Sequence, residues 1–242
     1  ATNPALVGPD VNFGTASNSI RLLLPSNSTA NLAGLTQTAS LIGYDSTLTK
    51  PVYNDGVSWK SIGSNAQAID YVLNPEFAVD TTGWATYADA AAATPVDGTA
   101  GSPASTFARS TVTPLRGVAS GLWSKSAANR QGEGFSYDFT IDSADKAKIL
   151  TISFDYTIAS GTYVDNDMIV YIYDVTNAIL IEPNGKNILG GTVALPLKHI
   201  ATFQTASNST SYRLIIHTSS TSASAYTLEF DNFLVAPQVV QY

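Results

Sequence analysis

Between residues 149 and 158 the chain alternates strictly. Leu150, Ile152, Phe154 and Tyr156 are large and apolar or aromatic, and Thr151, Ser153, Asp155 and Thr157 between them are polar. Successive side chains of a β-strand point to opposite faces, so this run dictates a strand with one face in a core and one toward water. Further strand candidates recur at short intervals over 105–112, 118–124, 134–141, 167–175, 199–203, 212–218 and 226–235. Such spacing predicts a sandwich or barrel. Two segments bracket the series, Leu73–Phe77 with Gly83 and Trp84 before it and Tyr226–Pro237 after it. An opening and a closing strand laid side by side share one core, and the expected architecture is an all-β jelly-roll, with Trp84 as a core plug.

Three local patterns refine this. Met168–Tyr173 is apolar on both parities, which predicts a strand covered on both sides. Leu228-Glu-Phe230 and Phe233-Leu-Val235 are out of phase across Asp231 and Asn232, which predicts a bulge or bend. The Ala-rich run from Ala88 to Pro103 is interrupted by Pro95, Gly98 and Gly101 and reads as a surface loop.

The first part of the chain is different. Residues 1–19 carry prolines and small polar residues without periodicity, the pattern of an extended arm. Ser19–Pro25 is a short strand candidate, and Leu41–Tyr44, Val52–Tyr53 and Ser58–Ile62 are three more, joined by turns at Asp45 and at Asn54-Asp55-Gly56. Strands this short cannot enclose Ile42, Tyr44, Tyr53 and Trp59, and isolated hairpins are marginal in water. These four residues are therefore expected at an assembly interface, with a homotrimer around a symmetry axis as the expected form. The resulting division is an arm and β-hairpin attachment module over 1–68 and a jelly-roll over 69–242. The start at Ala1 and the strand-like end Gln238–Tyr242 suggest a native polypeptide that continues.

Composition excludes several functions. The net charge of −7 falls wholly on residues 70–242, because three basic and three acidic residues cancel over 1–69. Nucleic acid is an unfavourable partner for such a chain, since phosphate binding needs clustered Lys and Arg. The absence of cysteine removes disulfides, thiolate metal sites and cysteine nucleophiles together. No apolar run approaches the ~20 residues of a membrane-spanning helix. Charged residues make up only 13% of the chain, and a hydroxyl- and amide-rich surface suits an extracellular or particle-bound β protein.

Few residues invite chemistry. His199 and His217 are the only histidines and stand apart from any nucleophile or metal pattern. Gly117-Val-Ala-Ser-Gly121 places its serine one residue too late for a nucleophile elbow. Asp165-Asn-Asp167 lacks the later ligands of a calcium loop and reads as a turn. Asp155 and Asp174 are the carboxylates to watch for glycoside hydrolysis, which needs two of them across the scissile bond. Sugar binding asks for aromatic faces beside hydrogen-bonding groups, and Trp123, Tyr171, Tyr173, Arg213 and His217 supply both.

Two resemblances follow from these residues. Arg21-Leu-Leu-Leu-Pro-Ser, Leu41-Ile-Gly-Tyr-Asp45 and Val52-Tyr-Asn-Asp-Gly-Val-Ser-Trp-Lys60 resemble a short module of bacteriophage fibre and other virion appendage proteins, with Lys50-Pro51 departing from the usual uninterrupted strand. Asn74–Phe77 with Gly83-Trp84, Leu150–Tyr156 and Phe230–Val235 are similar to carbohydrate-binding-module-like jelly-roll domains. The resemblances imply a non-enzymatic virion structural protein, a fibre or capsid-decoration component on the particle surface, bound to other virion proteins. Their alternative is a module or adhesin that binds host glycan, with a glycoside hydrolase ranked last. No cofactor is implied beyond a structural calcium, for which Glu76 and Asp231 would be the oxygen donors; capping of backbone amides by Asp231 is the competing reading.

Overall fold

The computed structural model describes residues 26–28, 42–45, 50–54, 59–61 and 70–238. The chain divides into two compact units, 1–67 and 68–242. The described part of the first unit is a sheet of β1 (Ser26–Asn27), β2 (Ile42–Asp45), β3 (Lys50–Asn54) and β4 (Trp59–Ser61), paired in that order. β1 runs parallel to β2, and the remaining pairs are antiparallel. Pro51 lies opposite Tyr44 in the β2–β3 ladder. Ile42 and Tyr53 are direct cross-strand partners and are 52% and 40% exposed, whereas Val52 is buried. Two of the four expected interface residues, Ile42 and Tyr53, thus form an exposed apolar pair. The side chains of Tyr44 and Trp59, and the expected arm and Ser19–Pro25 strand, lie outside the described residues.

The second unit is a two-sheet antiparallel sandwich, the jelly-roll class expected from the sequence. Its strands are β5 (Trp84–Ala88), β6 (Thr106–Ser110), β7 (Ser120–Lys125), β8 (Glu133–Thr140), β9 (Ile149–Gly161), β10 (Met168–Asp174), β11 (Ile179–Ile181), β12 (Leu197–Gln204), β13 (Ser211–Thr218) and β14 (Tyr226–Pro237). The first sheet has the order β11-β10-β13-β8-β5 and the second the order β12-β9-β14-β7-β6. Alternation decides what enters the core: Leu150, Ile152, Phe154, Tyr156 and Ile158 of β9 meet Phe135, Tyr137, Phe139, Leu214 and Ile216 of the facing sheet. Trp84 is the core plug, with ring centroids 4.4 Å from Phe233 and 4.9 Å from Tyr137.

The bracketing segments are arranged differently from the expectation. β5 and β14 lie in different sheets, and residues 73–77 are not a strand. The opening segment nevertheless runs beside β14 through Tyr71 N–H to Val235 O (2.9 Å) and Phe233 N–H to Pro75 O (3.2 Å). The parity change at Asp231 and Asn232 is a bulge: the ladder with β9 shifts register between Asp231 and Leu234, and Asn232 has a φ of 52°. Asparagine tolerates that left-handed conformation better than most residues, which explains its place there.

The run from Ala88 to Pro103, expected as a surface loop, ends β5 at Ala88 and then forms a strap across the outer face of the first sheet. Ser136 Oγ donates to Gly98 O (2.8 Å), Arg213 Nη1 to Asp97 O (2.8 Å), and Ala88 and Ala100 join through a backbone bond of 3.0 Å. The small residues are what allow this close approach. A Cβ on Gly98, at φ +70°, would lie 2.6 Å from Ile215 Cδ1. The strap accounts for the two-sided apolar pattern of β10. Met168, Val170 and Ile172 face the main core, while Ile169, Tyr171 and Tyr173 join Tyr87 and Ile215 in a second cluster on the outer face.

Candidate functional site

Four of the five residues expected to contact sugar share one surface, the outer face of β10 and β13. Pairing in the first sheet arranges this face in transverse rows. Leu180, Tyr173, Arg213 and Asp138 form one row across β11, β10, β13 and β8. Tyr171, Ile215, Ser136 and Ala85 form the next, and Ile169, His217, Gly134 and Tyr87 form a third.

The strap divides these rows into closed and open. Tyr171 is 2% exposed and His217 fully buried. His217 Nε2 lies 3.0 Å from Ala92 O and its Nδ1 2.7 Å from Tyr87 Oη. A carbonyl only accepts, so Nε2 carries the proton and Nδ1 accepts from the tyrosine. Burial holds the ring below the usual imidazole range, consistent with this neutral form. Tyr171 and His217 are therefore partnered beneath the strap and unavailable to a ligand from outside. Trp123 is not on this face at all. It is fully buried in the core between the sheets, with its ring centroid 5.6 Å from Phe135, because its parity on β7 points inward.

The first row stays open at Tyr173 and Asp138, while Arg213 between them lies under the edge of the strap, with Nη1 donating to Asp97 O. Tyr173 is half-buried, and Arg213 beside it is locked by Nε to Asp138 Oδ1 (2.5 Å) and Nη2 to Asp138 Oδ2 (3.2 Å). The Asp138 side chain is 67% exposed, so its remaining lone pairs face solvent. A two-point arginine contact fixes the plane of that carboxylate. β5 pairs with β8 only as far as Tyr137. Beyond that point a groove of about 600 Å³ opens, lined by Asp70, Tyr71, Tyr137, Asp138, Phe139, Asp142 and Ser211 among others. Asp138 is common to the open row and to the groove. Sequence reasoning missed it, because only the ladder shows that it stands opposite Arg213.

The groove's other carboxyls are engaged. Asp70 accepts from Val72 N–H (2.9 Å) and Val235 N–H (3.1 Å), and burial holds its pKa above the usual range. Asp142 caps the turn after β8 by accepting from Ala144 N–H (2.8 Å). Tyr71 donates to Asp145, and burial together with that carboxylate pushes the phenol up to about 12. The pair watched for hydrolysis is not assembled. Asp155 lies in the second sheet and is bound by Arg116 Nε (2.5 Å), while Asp174 lies in the first sheet and caps the next turn through Asn177 N–H (3.1 Å).

Asp231 is buried and accepts from Arg116 N–H (2.9 Å), Asn232 N–H (2.8 Å) and Ser120 Oγ (3.1 Å), whereas Glu76 is exposed. This donor set does not suit a calcium ion, since three protein donors already engage the Asp231 carboxyl and Arg116 brings positive charge into the same corner. Among the described residues no three His, Asp or Glu side chains gather in a way that could hold a metal. The turn at Asp165–Asp167 is real. Its last residue is fully buried, 3.6 Å from the equally buried Lys125 ammonium, which donates to Ser222 O and Ser224 O.

No family model and no curated protein matches the chain. Solved structures do. The CBM22-1 xylan-binding domain of Paenibacillus barcinonensis Xyn10C matches at 12% identity over 69% of this chain and 94% of that one, with a TM-score of 0.48. The C-terminal family 22 carbohydrate-binding module of Clostridium thermocellum Xyn10B matches at 10% identity over 69% of this chain and 94% of that one, with a TM-score of 0.47. The enzymatically active domain of bacteriophage CBA120 tailspike protein 4 matches at 13% identity over 70% of this chain but only 22% of that one, also with a TM-score of 0.47. What the matched proteins bind or cleave is a property of those proteins.

Proposed function

We propose that the sandwich is a non-catalytic glycan-binding module carried by a bacteriophage virion protein, a fibre or capsid-decoration component. The observation that supports the binding reading is the open row Leu180–Tyr173–Arg213–Asp138 running into the groove. A sugar presents C–H groups on its ring face and hydroxyls at its rim. Tyr173 offers a ring to the first, and Asp138, held by Arg213, accepts hydrogen bonds from the second. A groove of about 600 Å³ lies within the usual range for ligand sites. The carboxyls around it already cap amides or hold cations, which favours binding over turnover.

The virion setting rests on the N-terminal module. Its exposed Ile42–Tyr53 pair is what an attachment surface needs, and a homotrimer on other virion proteins is the proposed assembly. A glycan array on the purified protein, run with a reducing-end assay on the bound polysaccharides, tests the function. Binding without product release is the expected result. Silence in both assays favours a spacer role for the sandwich, and turnover overturns the non-enzyme reading.

A further inference from the structure

The outer face of the second sheet holds a different kind of site. Two loops straddle β14 there. The β6–β7 loop brings in Thr113, Pro114 and Leu115, anchored by Leu115 N–H to Ser120 Oγ (2.8 Å) and Arg116 N–H to Asp231 (2.9 Å). The β11–β12 loop brings in Ala194 and Pro196, anchored by Ala194 N–H to Ile158 O (2.9 Å) and Thr157 Oγ1 to Leu195 O (3.1 Å). With Thr157 and Ala159 of β9 and Glu229 of β14 they enclose a cavity of about 340 Å³.

Toward the hollow the side-chain polar groups of this cavity offer lone pairs. A hydroxyl has one proton; Thr157 has spent its own on Leu195 O, and Thr113 directs its own to Val112 O (2.6 Å) and to the Glu229 carboxyl, which keeps further lone pairs. The prolines have no N–H, and those of Leu115 and Ala194 are engaged as described. Glu229, the cross-strand partner of Thr157, is 3% exposed. No cation pairs with it among the described residues. The remaining walls are the alkyl surfaces of Pro114, Leu115, Ala159, Ala194 and Pro196.

We propose that this cavity binds a primary alkylammonium ion, its three N–H groups donating to Glu229, Thr113 and Thr157 and its alkyl stem packing on the proline, leucine and alanine walls. A compact ammonium on an alkyl stem satisfies both halves of the lining. A divalent metal would leave the apolar walls without a role and finds no cluster of three carboxyls here.

Charges around Glu229 give the site a pH signature. Burial first, and then Asp231 on the same strand, push the Glu229 carboxyl up to about 7, against the lowering effect of a hydrogen bond from Thr113. On β9, Asp155 is paired with Arg116 of the β6–β7 loop. Lys198 of β12 stands opposite Asp155 and is exposed, and Glu76 is a further exposed acid near Asp231. An alkylammonium stays charged to about pH 10. Its affinity should therefore rise about 30-fold between pH 5.5 and 8.5, following ionisation of a carboxyl that titrates near 7.

The same ammonium could come from a lysine of another protein chain or from a free amine. Two probes separate these sources, Nα-acetyl-lysine methylamide and cadaverine, titrated into the full chain with amide NMR shifts of Thr157 and Glu229 as the readout. The expected result is saturable shifts at pH 8.5 that weaken about 30-fold at pH 5.5. Preference for the lysine derivative assigns a protein partner, and preference for the diamine a free amine. Glu229→Gln should lower affinity about 30-fold or more, as for truncation of one partner of a buried charge pair, and abolish the pH dependence. Leu115→Trp, which fills the cavity without touching a charge, should block binding while the spectrum elsewhere stays native. No shift with either amine at pH 8.5, or saturation by calcium alone, overturns the proposal.

Discussion

The two outer faces of the sandwich lie over one core yet are covered in different ways. On the first sheet a strap of small residues lies flat, and each polar side chain it covers most closely finds a partner: His217 between Tyr87 and Ala92 O, Ser136 on Gly98 O, Arg213 on Asp97 O. On the second sheet two loops meet over β14 and close around Glu229, whose carboxyl no described cation neutralises. The first arrangement turns a sheet face into a secondary core and confines any ligand to the uncovered end. The second leaves an acceptor-lined hollow with charge to spare. Equal burial therefore has opposite meanings on the two faces, structural under the strap and ligand-ready over β14.

The largest expected effect tests the shared foundation. Phe154 is fully buried on β9, stacked near Phe233 and His199. Phe154→Ala should cost about 3–5 kcal/mol in urea denaturation, while a loss under about 1 kcal/mol would mean that the two faces do not rest on one packed core.

Next in size is a pair of glycine substitutions that contrasts the covering loops. Gly98 and Gly117 both have positive φ, but a Cβ on Gly98 runs into Ile215 while one on Gly117 meets nothing within 4 Å. Gly117→Ala should cost only the left-handed backbone penalty, about 1 kcal/mol. Gly98→Ala should add an overpacking cost of about 1–3 kcal/mol and speed hydrogen exchange in the strap. Equal costs at the two positions would break the distinction.

The remaining effects are in pH dependence, where the faces should respond with opposite sign. Glu229 has a folded-state pKa raised to about 7, so its burial is free at low pH and costs stability as pH rises from its unfolded value near 4.5 through 7. Glu229→Gln should match the wild type near pH 4 and exceed it in melting temperature above pH 7. His217 has a depressed pKa, so its burial is free at neutral pH and costs stability as pH falls below its unfolded value near 6.5. His217→Gln should flatten the acid side of the profile. His199, held at about 4 by burial alone, adds to the acid slope in both proteins.

Much of the fold was legible because period-two alternation is written into each strand. All eight strand candidates from 105 to 235 are present, and the parity break at Asp231 marks the bulge. β5 and β11 were harder to see, since Thr86 on β5 and Ile179 on β11 are exposed and dilute the alternation. The site was only half legible. Tyr171, Tyr173, Arg213 and His217 share a face because odd positions on β10 and β13 do, a fact the residue numbers contain. Closure of two of them by the strap is a tertiary event that composition describes only as a loop. Trp123 shows the limit of residue type as a guide, because an aromatic side chain serves a core as readily as a ligand. Glu229 and Asp138 carried no signal, since each gains its role from a neighbour far away in the chain.

The central claim is that recognition occurs on the open end of the first sheet. Amide and tyrosine-ring shifts should be mapped while an oligosaccharide selected from the array is titrated into the full chain, with Tyr173→Ala as the companion variant. The account predicts perturbations centred on Tyr173, Leu180, Arg213 and Asp138 and continuing into the groove at Ser211, with binding weakened at least about tenfold in the variant. Perturbations confined to the second sheet, or full affinity in Tyr173→Ala, would contradict it.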